Sequence, residues 1–144
     1  MCRTPSSIVA TMPGFSLTFP PDPVWVRTCR ETVRTSTLTF KHPELTELAA
    51  LLTSEATTNA ITACMVNGCA QPITICGEWL PAGMFRIHVH DAAPGVPAVC
   101  HPSDHSDHGR GMYLIAELAA RHGTCLDGPG PGKSFWFQLE GWLG

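Results

Sequence analysis

A chain of 144 residues is long enough to bury a real core and short enough to form one domain. Hydrophobic residues make up 44% and charged residues 15%, below the usual charged share of roughly 25%, which excludes disorder across the whole chain and predicts a surface rich in Gly, Pro and Thr. A formal net charge of -3 without a basic tract argues against direct binding of nucleic acid, and no apolar stretch approaches the roughly 18 residues of a membrane helix.

Residues 1–14 have one early Arg, two prolines and no apolar run of signal-peptide length, so they read as a flexible tail on a cytoplasmic protein, with a single domain over 15–144. Ser16 to Phe19 is apolar enough for an edge strand. In the Pro20-Pro21-Asp22-Pro23 segment, Asp22 has the chemistry of an N-cap and Pro23 that of a first helical residue. A helix is predicted from there to about Ser36, with Val26, Cys29 and Val33 on one face.

Lys41-His42-Pro43 breaks the chain. From Glu44, apolar residues at Leu45, Leu48, Ala49, Leu52, Ala56, Ala60 and Ala63 keep helical period to about Cys64, and Asn67-Gly68 ends the helix. Pro72 to Trp79 and Met84 to Asp91 read as two strands of a hairpin around the Leu80–Gly83 turn. In the second strand Phe85, Ile87 and Val89 share one face, and Arg86, His88 and His90 the other.

Ala92 to His108 has no periodicity, and segments of that length tend to be lids or binding loops. A helix is predicted from about Gly109 through Leu114, Ile115, Leu118 and Ala119 to His122, stopped by Gly123. Ser134 to Leu139 is a last strand with Phe135, Phe137 and Leu139 inward. The order of elements predicts an α+β layered sandwich. Cys2, Cys29, Cys64, Cys69, Cys76, Cys100 and Cys125 are odd in number and scattered, so no disulfide framework is expected and most should be buried thiols.

Three groups of residues carry chemistry. Glu55 and Asn59 are four apart on the long helix and share a face. They fit either an ordinary solvated helix edge, or a carboxylate base beside an amide oxygen that takes Mg²⁺. Parity puts Asp91 on the face of Phe85, Ile87 and Val89, where a carboxylate needs a donor such as an exocyclic adenine amine; the alternative is an Asp that starts a turn. Gly109-Arg110-Gly111 opens a helix, and the free N–H groups there form an anion site, or simply a junction that needs glycine. A rival reading takes His101, His105 and His108, near Cys100, Asp104 and Asp107, as transition-metal ligands.

In order, these segments resemble the Bergerat-fold (GHKL) ATPases. Leu51-Leu52-Thr53-Ser54-Glu55-Ala56-Thr57-Thr58-Asn59-Ala60 is similar to the N-box, and Phe85 through Asp91-Ala92-Ala93-Pro94-Gly95-Val96-Pro97 to the G1 box. Gly109-Arg110-Gly111-Met112-Tyr113-Leu114-Ile115 is similar to the G2 box, and Gly132-Lys133-Ser134-Phe135-Trp136-Phe137 to the closing strand. The Phe19-Pro20-Pro21-Asp22-Pro23 segment and the Trp-bearing last strand most resemble the actinobacterial branch of anti-sigma regulatory serine/threonine kinases.

The resemblance implies a two-layer α/β sandwich, its sheet mixed but mostly antiparallel, with helices on one face and ATP bound between the layers. It implies Glu55 as catalytic base and Asn59 as Mg²⁺ ligand. It implies Asp91, Ala93 and Gly95 around the purine, Gly109, Arg110, Gly111 and Met112 at the phosphates, Ser134 on the adenine side, and an ATP lid over about 96–108. It further implies a protein kinase whose partners are a sigma factor and a STAS-type anti-sigma-factor antagonist, in a branch that often forms homodimers. Two positions depart from the pattern: Ala93 stands where the G1 box has its first glycine, and Ala63 where many relatives have His.

Overall fold

The computed structural model describes residues 14–94, 110–126 and 132–141. Five strands, β1 (Gly14–Phe19), β2 (Ile73–Leu80), β3 (Met84–Asp91), β4 (Arg121–Cys125) and β5 (Lys133–Glu140), form one sheet in the order β1-β2-β3-β5-β4. All four pairings are antiparallel. Helices α1 (Trp25–Thr39), α2 (Thr46–Val66) and α3 (Arg110–Leu118) lie on one face, which gives the α+β sandwich that the order of elements predicts.

The alternation in the strands sets the layering. Phe19 of β1, Ile73 and Ile75 of β2, Phe85, Ile87 and Val89 of β3, and Phe135, Phe137 and Leu139 of β5 are buried towards the helices. Each such side chain contributes about 1.5–3 kcal/mol by leaving water. Trp79 stacks on Phe85 with centroids 4.1 Å apart, and its indole Nε1 donates to Ser36 Oγ of α1 at 3.0 Å. The helices meet this layer through Cys29 and Val33 of α1, Ala49, Leu52, Ala56 and Ala60 of α2, and Met112 and Ile115 of α3.

The helix starts differ from the sequence expectation. Asp22 does not cap α1 at Pro23; its Oδ1 accepts from Val24 N–H at 3.0 Å, a local turn that delays the helix to Trp25. Pro43–Leu45 forms a 3₁₀ turn ahead of α2. The larger correction is after Leu118. The helix predicted to reach His122 ends there, because Ala120 N–H turns to donate to Gln138 O and Arg121–Cys125 joins β5 as an edge strand. Gly123 is therefore not a helix stop. It faces Trp136, whose ring would lie 2.9 Å from a Cβ at that position.

The cysteines also need one correction. Cys29, Cys64 and Cys76 are buried free thiols and Cys69 is a half-buried one, as expected, but Cys125 is disulfide-bonded. Its partner lies outside the described residues. Among the described residues no helix is long and apolar enough to cross a membrane.

Candidate functional site

The long helix α2 brings two polar side chains into a stripe that is otherwise buried. Glu55 and Asn59 are half-buried, with Ala56, Thr57 and Ala60 fully covered beside them. A spacing of four residues puts both on one side of the helix, one turn apart. Among the described residues neither side chain has a hydrogen-bond or ion-pair partner. Glu55 is more than a solvated helix edge, because the first turn of α3 packs on it. A Cβ at Gly111 would stand 2.5 Å from Glu55 Oε2 and 3.0 Å from Glu55 Cβ. Glycine is what lets α3 approach this closely. The carboxylate thereby sits at the N-terminal end of α3, where the helix dipole favours negative charge.

Asp91 ends β3 on the helix side, as parity predicts, and is 3% exposed. Its Oδ1 accepts from Ala93 N–H at 2.9 Å and from Lys133 Nζ at 2.8 Å. The lysine also donates to Ala93 O at 3.3 Å. Asp91 therefore makes the turn, and its core-facing carboxylate takes its donors from within the chain. The donor found in the chain is Lys133, for which the sequence reading gave no role. The signal was there in strand parity. Lys133 lies directly opposite Asp91 in the register and begins the inward row of Phe135, Phe137 and Leu139.

The C-terminal part of α2 reaches the same corner. The Cys64 thiol is pushed up to about 11, first by burial and then by the negative charge of Asp91, with Lys133 acting the other way. Ala93, at the G1 departure, is wholly buried in the core cluster, so its methyl group is packed against protein. Met112 is also a core side chain at 3% exposure, which leaves its backbone as the part able to face a phosphate.

Ser134 is placed elsewhere. It pairs with His90 on the opposite face of the sheet from Asp91, and its hydroxyl is hydrogen-bonded to His90 Nδ1 at 3.1 Å. A one-residue step along β5 reverses the face, which turns Ser134 away from the side of Asp91, where it was expected, and puts Lys133 there. Gly95, Gly109, the lid at 96–108 and the histidines of the rival metal reading lie outside the described residues, as does the side chain of Arg110.

α2 thus packs on both α3 and β3 on one side of the sheet, with Glu55 and Asn59 on α2, Gly111 against Glu55, and Asp91 at the end of β3. An amide oxygen and a carboxylate, both without partners among the described residues, are hard oxygen donors of the kind Mg²⁺ takes. A family model described as histidine kinase-like ATPase domain matches residues 19–128. No curated protein matches the chain significantly.

Proposed function

The chain belongs to the histidine kinase-like ATPase family, and on that premise we propose that it is an ATP-binding anti-sigma-type regulator of the cytoplasm that phosphorylates Ser or Thr of an antagonist protein. In this reading it also sequesters a sigma factor, so that antagonist and sigma factor compete for it. The observation that carries the catalytic part is the Glu55–Gly111 contact: a half-buried carboxylate, without a partner among the described residues, held at the N-terminal end of α3.

The residues divide the work by position. Asn59 and Glu55 offer oxygens on one side of α2, and Asn59 would hold Mg²⁺, which supplies neutralisation of phosphate charge. Glu55 takes the proton of the substrate hydroxyl as its oxygen bonds to the γ-phosphorus of ATP. The bond from that phosphorus to the β–γ bridging oxygen breaks, and ADP leaves with the electron pair. The N–H groups of the Gly109-Arg110-Gly111 turn stand at a helix start, where phosphate oxygens are favoured. Asp91 accepts a hydrogen bond from the adenine amine while Lys133 fixes the orientation of its carboxylate.

Two measurements test this. ATP with Mg²⁺ should raise Tm, and a protein with no such shift over the millimolar range is not a nucleotide-binding regulator. Glu55→Ala should keep the shift and lose phosphotransfer to a supplied antagonist. A second reading is a nucleotide-gated binding module with little or no kinase activity. The Lys133–Asp91 bond favours it, since the adenine amine must share a carboxylate that already has a cationic donor. Equal phosphotransfer in Glu55→Ala and the parent removes Glu55 as base; no phosphotransfer in either, with ATP bound, selects the second reading.

A further inference from the structure

Helices α1 and α2 run antiparallel and leave a groove of about 680 Å³ between them, which opens on Glu55. Its two ends differ in charge. At one end Arg34 is compensated, by Glu47 at 3.3 Å and by Glu31 at 3.9 Å. One to two turns away, Arg30 Nη1 meets only the neutral Ser54 Oγ at 3.3 Å, and Arg27 is exposed. Among the described residues no carboxylate lies within ion-pair distance of Arg27 or Arg30.

The register of the helices fixes which end this is. Arg34 faces Glu47 and Arg30 faces Ser54, so moving towards the start of α1 means moving towards Glu55 and beyond it on α2. Arg27 and Arg30 are three residues apart, and at roughly 1.5 Å rise per residue they stand as neighbours on one side of α1. Two guanidinium groups that have no carboxylate partner among the described residues, in the same groove as Glu55, are matched by a segment of the opposite sign. Guanidinium forks bind carboxylates through paired, charge-assisted hydrogen bonds.

We propose that this end of the groove docks an acidic segment of a protein partner, whose Asp or Glu side chains bind Arg27 and Arg30 and so set a neighbouring Ser or Thr hydroxyl beside Glu55. The inference rests on the reading of Glu55 as base for the delivery of the hydroxyl, but the docking itself is independent of nucleotide. Arg27 and Arg30 act here as positioning residues and take no part in proton transfer.

The probes are three labelled decapeptides with a central Ser, flanked by Asp and Glu, by Asn and Gln, or by Lys and Arg. Their fluorescence anisotropy is read with the full chain and no nucleotide. The acidic peptide should bind tightest and weaken as salt rises from about 0.05 to 0.3 M, since exposed charges are screened. Arg27→Ala/Arg30→Ala should lose at least about tenfold in affinity, the equivalent of one charge-assisted bond. Arg121→Ala, which removes a positive charge from the distant edge strand β4, should lose nothing. If the alanine pair does not fold, Arg27→Gln/Arg30→Gln is read the same way.

Acidic peptide binding no tighter than the neutral one, or equal binding by the double variant, overturns the proposal. The ATP-induced Tm shift of the double variant separates the remaining occupant. An unchanged shift supports docking of a peptide, whereas a lost shift means that the arginines hold nucleotide phosphates, and the docking site falls. A parent protein without any ATP shift, but with arginine-dependent acidic binding, loses the kinase reading and keeps this one.

Discussion

On the helix side of the sheet, Asp91 and Lys133 form a buried ion pair at 2.8 Å in which backbone also takes part: Ala93 N–H donates to the carboxylate and Ala93 O accepts from the ammonium. On the other side, Glu78 and His88 are just as buried, at 0% and 2% exposure, but are built differently. Glu78 Oε1 lies 3.5 Å from His88 Nε2 and 3.6 Å from Arg86 Nη1, ion-pair distances without a hydrogen bond. Among the described residues, both Glu78 oxygens and both His88 nitrogens go without a hydrogen-bond partner. Arg86 spends its donors on Gln138 and stacks over Trp136. A buried charge is tolerated when hydrogen bonds replace its water, and each unsatisfied polar group costs about 1–3 kcal/mol. The first pair is therefore expected to hold its corner of the fold together, and the second to lower stability.

The largest expected effect breaks the first pair. Lys133→Met leaves a buried carboxylate with one backbone donor and should cost about 3–5 kcal/mol in urea unfolding, with weakened ATP binding. The same treatment of the other side should do the reverse. Glu78→Leu/His88→Leu should be neutral or stabilising by about 1–4 kcal/mol, because apolar groups remove the unsatisfied atoms. A double variant that loses as much as Lys133→Met would show that the outer cluster is integral too.

Acid sharpens the contrast. Burial, followed by the charge of Arg86, lowers the His88 pKa from 6.5 to about 4. Between those values the unfolded chain binds a proton that the folded chain refuses, so stability falls as pH is lowered from about 6.5 to 4. His88 alone accounts for a loss on the order of 3 kcal/mol over that window. His88→Gln should flatten this part of the stability curve relative to the parent. Parallel curves for the two proteins would mean that His88 is protonated in the folded state at pH 6.

How far the sequence revealed these regions follows from the reach of each signal. Period-2 alternation placed Asp91 inward, and the same parity, applied to β5, would have placed Lys133 opposite it and Ser134 outward. Helical period found Glu55 and Asn59 on one side of α2, but no local signal could show that Gly111, far along the chain, closes on Glu55. The β4 strand was hidden because Arg121-His122-Gly123-Thr124-Cys125 has no apolar alternation, and its strand partner β5 lies later in the chain. Gly123 was legible as a special position, though its reason is the Trp136 ring. Gly123→Ala should cost about 1–3 kcal/mol, since an indole on a paired strand yields poorly.

The smallest expected effect on stability is at Gly111, and it carries the most about function. A methyl group there meets Glu55 Oε2 at 2.5 Å, the far end of a side chain that can swing, and Glu55 Cβ at 3.0 Å, which must give by a few tenths of an ångström. Helix propensity acts in favour of alanine by up to about 1 kcal/mol, so Gly111→Ala should unfold within about 1 kcal/mol of the parent. Its carboxylate would nevertheless be turned away from its place at the start of α3. If Glu55 is the base, phosphotransfer should fall by about a hundredfold or more while the ATP-induced Tm shift persists, since general-base contributions are of that order. Fold and nucleotide binding would then be intact and the hydroxyl proton without an acceptor. An alanine variant as active as the parent would mean that the close Glu55–Gly111 contact serves packing alone, as the Gly123–Trp136 contact does.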